Sequence, residues 1–298
     1  MDALTHALIA SMVCLALGMP ALVPVVILGT VILDVDILYG RLSAGNPRFY
    51  LFTHGGCAHS IAGAAAVSLL AVAGIQFAGV TGILPPGSPV VTVFLAVFAG
   101  AILHLATDAL AFPGIPLLFP ISDRKITLGI LPGPSFFLFG VSAVLLVATL
   151  LGTMVFPVAL RIAAVVIVAF LSCRAAGYCA VSRHWPGTLV VPTPSPLKFF
   201  IIGETDSAYT IRRISLAGEA GSAETFEKYT GTERSGAEKF RCLPEIRQLA
   251  FHSYGIIVEK SPSGYVFSDP FREKGYFPYP RHHTRVVIPG GAGPRGPE

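Results

Sequence analysis

The first 182 residues of this 298-residue chain carry almost no charge. They contain six Lys or Arg residues, five Asp and no Glu, whereas the rest of the chain carries 15 basic and 12 acidic residues. Only 13% of the whole chain is charged, against about 25% in ordinary soluble domains. Within lipid the backbone must satisfy its own hydrogen bonds, as a helix does. The pattern therefore predicts a helical membrane region followed by a soluble one.

Clusters of Gly and Pro divide the first region into six apolar segments. The segments cover residues 5–19, 21–39, 60–80, 89–112, 136–154 and 158–181. The first is short for a membrane span, which needs about 20 residues, so we expect it to form a helical hairpin with the second. Thr5 is expected to cap the first helix. The segments predict a polytopic α-helical membrane bundle of about six hydrophobic helices.

The basic residues of this region lie mostly in alternate connections between the apolar segments. They are Arg41 and Arg48 after the second segment, Arg124 and Lys125 after the fourth, and Arg174 and Arg183 at the end of the sixth. The loops around Pro85 and Phe156 have almost none, and Arg161 is the exception. Because basic loops stay in the cytoplasm, we expect a multi-pass protein of the inner (cytoplasmic) membrane, with the N-terminus and the C-terminal domain cytoplasmic.

The composition changes after Trp185, where several prolines follow closely. Residues 1–182 are predicted to be the transmembrane domain, 183–196 a stiff Pro-rich linker, 197–289 a cytoplasmic domain and 290–298 a disordered tail. Apolar alternation predicts strands at 197–202 and 208–214 and a hairpin at 253–268, and residues 238–251 are expected to be helical apart from Pro244. The second region is therefore predicted to be a small α+β soluble domain.

The charge and cysteine patterns exclude some classes of partner. The net charge of +4 is small, and no basic run alternates with aromatic residues, so we predict no nucleic-acid partner. The five cysteines form no CxxC pair, and we expect them to pack as small apolar residues. The lipid bilayer is the partner that the composition indicates.

Four polar clusters interrupt the apolar segments, and they contain His6, Asp34, Asp36, His54, His59, His104 and Asp108. An ionisable side chain in such surroundings is costly unless it is paired or binds a metal. His104 and Asp108 are four residues apart and share one helix face. The two glycines between His54 and His59 allow a tight turn that directs both rings inward.

The predicted topology brings all seven side chains to the cytoplasmic ends of the helices. We expect the seven to be ligands of divalent metal, and the donors exceed what one tetrahedral zinc needs, which indicates two zinc ions. A purely structural network of the same groups is the alternative. Paired ions activate water for hydrolysis. Asp34, Asp36 and Asp108 are the candidates for a catalytic base or an outer partner of a ligand, and spacing does not distinguish them.

The order of these motifs resembles that of one family. Met-Asp-x-x-Thr-His6-Ala is followed by Asp34-x-Asp36, by His54-Gly-Gly-x-x-His59-Ser and by His104-x-x-x-Asp108, with Pro-Gly-Ile-Pro-Leu-Leu-Phe-Pro further on. Over residues 1–182 the chain resembles the YdjM-like membrane-bound metal-dependent hydrolases, formerly a domain of unknown function. Gly55, Ala58 and Leu33 stand where members commonly have Arg, Thr and Pro. The family is distantly similar to zinc-dependent phospholipase C and P1 nuclease, so the resemblance implies zinc and phosphoester chemistry.

We therefore expect a metal-dependent hydrolase that cleaves an ester or phosphoester of a lipid or lipid-linked substrate. Two alternatives remain: a metal-ion transporter, whose intramembrane His and Asp would line an ion pathway, and a non-catalytic membrane-anchored scaffold. In the soluble domain, five polar residues are candidates for a lid over the site or for ordinary surface, namely His252, Asp269, Arg272, His282 and His283. Arg124 and Lys125 either attract an anionic substrate or anchor the chain at the membrane.

Overall fold

The computed structural model describes residues 1–77, 89–217, 220–277 and 284–290. Seven helices form its first part: α1 (Ala3–Ala16), α2 (Val23–Ile32), α3 (Gly40–Gly45), α4 (Ile61–Phe77), α5 (Val90–Asp108), α6 (Phe136–Leu150) and α7 (Phe156–His184). Short 3₁₀ turns lie at Pro20–Leu22, Leu33–Leu38, Pro47–Phe49 and Cys57–His59. The apolar segments of the sequence thus correspond to helices.

Three helical stretches of the described residues are long and apolar enough to cross a membrane: Pro20–Gly45, α5 and α7. Helices α1, α4 and α6 are equally apolar but shorter than the roughly 20 residues of a full span. The structure therefore confirms a membrane region with three candidate spans among the described residues.

Helix α1 begins three residues earlier than a Thr5 cap requires. The Asp2 carboxylate accepts hydrogen bonds from the Thr5 backbone N–H at 2.9 Å and from the Thr5 hydroxyl at 2.7 Å. Asp2 is therefore the N-cap, and the prediction of Thr5 as the cap was wrong. Thr5 serves as the partner of the capping carboxylate, which orients the first turn of the helix that carries His6.

Helices α2 and α5 cross in close contact because each has a glycine at the crossing. A Cβ atom on Gly29 would lie 2.0 Å from the Val97 carbonyl oxygen, and one on Gly100 would lie 2.2 Å from the Val26 carbonyl oxygen. Small residues permit such backbone approach between membrane helices. The crossing places the end of α2 beside the last turns of α5, where His104 lies.

The C-terminal part contains two four-stranded sheets. The first is antiparallel with the order β1 (Leu189–Pro192), β2 (Lys198–Glu204), β3 (Ala208–Ser215) and β4 (Ala220–Glu227). The second has the order β5 (Tyr229–Thr230), β6 (Ile257–Ser261), β7 (Gly264–Ser268) and β8 (Arg285–Pro289), with β5 and β6 parallel. Helices α8 (Arg234–Glu238), α9 (Pro244–His252) and α10 (Pro270–Glu273) complete this part. The prediction of a sheet-rich α+β domain is confirmed.

Two predicted segments differ from the structure. The Pro-rich segment 183–196 contains β1, which pairs with β2 along its whole length and so belongs to the first sheet. Pro244 begins α9 instead of interrupting a longer helix, since proline is tolerated in the first turn, where its missing N–H has no partner to lose. Residues 291–298, most of the segment predicted to be a tail, lie outside the described residues, as does the loop around Pro85.

The two parts of the chain are joined by buried polar contacts. The fully buried guanidinium of Arg174 on α7 donates to the carbonyl oxygens of Ile130, Thr193 and Ser195 at 3.0–3.2 Å. On α9, the Gln248 side chain donates to the Ser43 carbonyl oxygen at 2.6 Å. These contacts fix the sheet-rich part against the loop that follows α5 and against the segment that follows α2.

Candidate metal centre

All seven histidines and aspartates selected from the sequence lie in one layer of the helical region. Their donor atoms form three overlapping groups: His6 with His104 and Asp108, Asp34 with His59 and His104, and Asp36 with His54 and His59. Within each group the donor atoms lie within 4.8 Å of one another. Any of these groups could hold a metal ion. We name the seven side chains the donor layer.

Four donor atoms form the centre of the layer. The Nε2 atoms of His59 and His104 are 3.1 Å apart, and Oδ2 of Asp108 lies 3.6 Å and 3.2 Å from them. Oδ1 of Asp34 lies 3.7 Å and 3.5 Å from the same two nitrogens. Bonds of 2.0–2.1 Å in a tetrahedron require ligands roughly 3.3–3.4 Å apart. The five separations of 3.1–3.7 Å are close to this spacing, so the two imidazoles with either carboxylate could bind one zinc ion.

The protonation of His104 follows from its other ring nitrogen. Nδ1 lies 2.5 Å from the Thr30 carbonyl oxygen, which only accepts hydrogen bonds, so Nδ1 carries a proton. In the neutral ring, Nε2 then presents a lone pair toward His59, Asp34 and Asp108. This lone pair can accept a hydrogen bond from a protonated His59 or can bind a metal cation. Such an arrangement, with the second nitrogen held by a backbone carbonyl, is typical of metal-binding histidines.

The Asp36 carboxylate supports both histidines of the Thr53–Ser60 segment. Its Oδ1 lies 2.7 Å from Nδ1 of His54, and its Oδ2 lies 2.8 Å from Nδ1 of His59. The Gly55 backbone N–H also donates to Oδ2, at 3.2 Å. Asp36 is fully buried with these partners. Its contacts direct Nε2 of His59 toward the centre of the layer.

The glycines of the histidine motif shape its turn, as the sequence predicts. Gly55 has a φ of +72°, a conformation that L side chains rarely adopt. A Cβ atom on Gly56 would lie only 2.0 Å from the Leu51 carbonyl oxygen. This tight turn lets both His54 and His59 reach Asp36 from one short segment.

His6 forms the second side of the layer. Its ring stacks on the His104 ring with centroids 3.9 Å apart, and its Nδ1 lies 2.9 Å from the Thr107 hydroxyl. The buried Nε2 makes no hydrogen bond in the described part of the chain and lies 3.3 Å from Oδ1 of Asp108. The amino group of Met1 contacts the same Asp108 oxygen. Asp108 thus presents one oxygen to each side of the layer.

Burial differs across the donor layer in a way that defines its open side. His6, His59 and His104 are at most 1% exposed. The side chains of Asp108, Asp34 and His54 are 14%, 24% and 34% exposed. A molecule from outside therefore reaches the centre past Asp34 and His54.

The charge state of His59 reflects two opposing effects. Burial lowers the pKa of this imidazole, but hydrogen bonds to Asp34 and Asp36 outweigh burial and raise the pKa to about 9. A proton therefore occupies His59 at neutral pH in the absence of a metal. Any cation that binds Nε2 must displace this proton, so metal binding and proton release are coupled.

Sequence reasoning missed the residues that hold the donor layer in place. Thr30 contributes a backbone carbonyl, and no side-chain pattern predicts that. Gly29 and Gly100, which allow the close crossing of α2 and α5, were the available signal, because glycine weakens a helix unless it has a packing role. Thr107, one turn after His104 on the same helix, was a second sequence feature that could have indicated a supporting contact.

Of the lid candidates in the soluble domain, Asp269 has a structural role and two histidines lie outside the described residues. The carboxylate of the fully buried Asp269 accepts backbone N–H groups of Tyr254, Phe271 and Arg272, and so caps α10. His282 and His283 lie outside the described residues. Cys57, within the histidine motif, is in none of the three donor groups.

Of the comparisons with known proteins, one found a match. No curated protein and no solved structure matches the chain, so the expected distant similarity to phospholipase C and P1 nuclease stays a prediction. The family model of the YdjM inner membrane protein matches residues 1–185, a range that contains every helix of the first part and all seven donors. The chain therefore belongs to the YdjM inner membrane protein family.

Proposed function

We propose that this chain is a membrane-bound metal-dependent hydrolase that cleaves an ester or phosphoester bond of a lipid or lipid-linked substrate. The observation that carries the proposal is the pair of Nε2 atoms of His59 and His104, 3.1 Å apart between two carboxylates. Without a metal, a proton on Nε2 of His59 bridges this pair, and a divalent ion that binds here would displace it. Here the second nitrogen of each ring is already held by Asp36 or by the Thr30 carbonyl.

The residues present fit a divalent metal such as zinc. His59, His104 and Asp108 would hold one ion and leave a position for water, and His6 with Asp108 would contribute to a second. A divalent ion bound there would lower the pKa of a water molecule and neutralise negative charge on a phosphoryl or carbonyl oxygen. The surrounding chain supplies three fixed histidine rings and excludes water from all but one side.

The three aspartates have different surroundings, which suggests different roles. Asp108 bridges the two sides of the layer, and Asp36 orients His54 and His59 as a positioning residue. Asp34 lies on the open side and is the most exposed of the three. Asp34 is therefore the one best placed to accept a proton from water that enters with the substrate.

The setting of the donor layer favours a lipid substrate. The donors lie at the N-terminal ends of α1 and α4 and the C-terminal ends of α2 and α5, which is the same end of the helical region. We infer that all six long apolar helices, α1, α2 and α4–α7, contribute to a multi-pass membrane domain, with the donor end and the sheet-rich part on the cytoplasmic side because Arg41, Arg48 and the other basic loop residues lie there. A lipid headgroup at the membrane surface would then lie level with Asp34.

The test uses detergent-purified protein loaded with zinc or manganese and presented with phospholipids and generic phosphoesters. We expect release of a phosphate or of an acyl group by the wild type and at least a hundredfold loss in Asp34→Asn, since a general base contributes about 10²–10⁴ in rate. Asp206→Asn, an exposed change in the sheet-rich part, is the matched control. Turnover of neither substrate class, together with metal uptake into proteoliposomes, would contradict the hydrolase and favour transport.

A further inference from the structure

A cavity of about 680 Å³, lined by apolar and basic side chains, lies between the helical and sheet-rich parts of the chain. One wall is the loop after α5, with Phe112 and the run Asp123–Lys125, and the other is the segment from Arg241 to Ile256, which includes α9. None of the seven donor-layer residues lines this cavity. It is a separate site and does not depend on the function proposed above.

The lining of this cavity has an excess of positive charge. Arg124, Lys125, Arg241 and Arg247 line it, and Asp123 is the one carboxylate among the lining residues. Asp123 is already engaged, since the Tyr50 hydroxyl donates to it at 2.6 Å and Arg247 lies 3.6 Å away. In the part of the chain that the structure describes, no carboxylate lies within ion-pair distance of Arg124, Lys125 or Arg241.

Lys125 is the cation of this cavity with the most apolar surroundings. Its ammonium lies 4.1 Å from the centre of the Phe251 ring, a cation–π contact that does not neutralise the charge. Burial lowers the pKa of Lys125 to about 7, and the nearby charge of Arg272 acts in the same direction. An anion that entered the cavity would remove this electrostatic cost.

We propose that the cavity between the two parts binds a phosphate-bearing anion, held by Arg124, Lys125 and Arg241. A guanidinium group can donate two parallel hydrogen bonds to a phosphate, and the Lys125 ammonium adds a point charge. The stacked rings of Phe112 and Tyr254, with centroids 5.2 Å apart, form an apolar wall beside these cations. The anion would bridge the helical and sheet-rich parts, because both parts contribute cations. Its source is either a free phosphate or the headgroup of an anionic lipid.

The experiment uses the full chain in phosphatidylcholine nanodiscs, with a chelator present so that the donor layer cannot bind phosphate through a metal. Inorganic phosphate is titrated by calorimetry, and in a second arm the discs also contain phosphatidylglycerol, whose retention by the protein is measured by native mass spectrometry. We expect the wild type to bind one of the two probes saturably. Arg124→Gln/Lys125→Met should weaken that binding at least about tenfold, because charge-assisted hydrogen bonds are lost.

Two control variants test whether the loss of any positive charge weakens binding. A second cavity variant tests whether misfolding explains the loss. Lys198→Met and Arg285→Gln remove the same kinds of charge from exposed strand positions outside the cavity and should leave binding unchanged. Arg241→Gln, on the opposite wall, should give a similar loss if the double variant fails to fold. Binding of phosphate identifies a soluble anion, and retention of phosphatidylglycerol alone identifies a headgroup. Binding of neither probe, or equal binding by the cavity variants, would overturn the proposal.

Discussion

The donor layer and the cavity between the two parts are opposite in charge and are supported differently. The donor layer brings lone pairs and carboxylates together, and backbone and buried side chains fix each ring. The cavity brings cations together on two walls that come from different parts of the chain, and its arginines are exposed. A buried cluster of carboxylates and imidazoles suits a metal cation, whereas exposed cations on two walls suit an anion.

The rigidity of the donor layer depends most on the crossing of α2 and α5. In Gly100→Val the added side chain must push the Val26 backbone away, which moves Thr30 from His104. We expect the largest loss of all the changes: a fall in the thermal unfolding midpoint by many degrees and no stoichiometric metal, since forced overpacking costs about 1–3 kcal/mol or more. Gly74→Val is the control, because a Cβ atom there meets nothing within 4 Å. Equal behaviour of the two variants would contradict a structural role for the crossing.

The contact between the helical and sheet-rich parts depends on Arg174. Arg174→Met would remove a buried guanidinium and leave the carbonyl oxygens of Ile130, Thr193 and Ser195 without its N–H groups. The Ser195 oxygen keeps the Lys198 N–H and the Thr193 hydroxyl as donors, so only the other two acceptors lose this partner. We expect a loss of roughly 2–4 kcal/mol in the free energy of unfolding, measured by chemical denaturation in detergent, because a buried acceptor without a donor costs about 1–3 kcal/mol. Limited proteolysis should cut near residue 190 sooner. Arg161→Met, an exposed position on the same helix, should change neither measurement.

Loss of the contacts between Asp36 and the two histidine rings should have a smaller effect, which is confined to metal affinity. Asp36→Asn keeps the shape but weakens the contacts to His54 and His59, so metal affinity should fall about 10–100-fold while the fold remains. The measurement is a competition titration against a chromophoric chelator, with circular dichroism as the check on folding. Unchanged affinity would show that Asp36 does not position His59.

The pH dependence of metal binding has a defined sign. Because the pKa of His59 is raised to about 9, the ring is protonated below that pH and a metal must displace the proton. Apparent affinity should therefore rise by about tenfold per pH unit from neutral pH up to about 9 and then level off. The same chelator competition at several pH values measures this slope. A flat profile would mean that Nε2 of His59 is not a ligand.

Much of the donor layer was predictable because its residues are rare in their surroundings. Histidines and aspartates in apolar helices stand out, and the alternation of basic loops indicates which helix ends meet. The structure brings all seven together. The supporting contacts were not predictable, because the Thr30 carbonyl has no side-chain signature and its position depends on how closely two helices approach.

The sheet-rich part shows the other limit of sequence reasoning. Strands β2 and β3, rich in Phe, Ile and Tyr, were predicted, since burial gives them a clear pattern. Strand β4 was not predicted, because its Ala, Gly, Ser, Thr and Glu residues are mostly exposed and it is held by pairing with β3. Strand β1 lies among prolines that suggested a linker. Each of these two strands is held by hydrogen bonds to a neighbouring strand, and its own side-chain pattern does not show that pairing.

The most direct test of the central claim is the metal content of the full-length protein, purified in detergent and measured by inductively coupled plasma mass spectrometry. We predict at least one divalent ion per chain in the wild type and none in His59→Ala or His104→Ala, because each removes one of the two Nε2 atoms at the centre of the layer. His184→Ala, at the end of α7, should retain the metal. A wild-type protein without stoichiometric metal, or variants that keep it, would contradict the account.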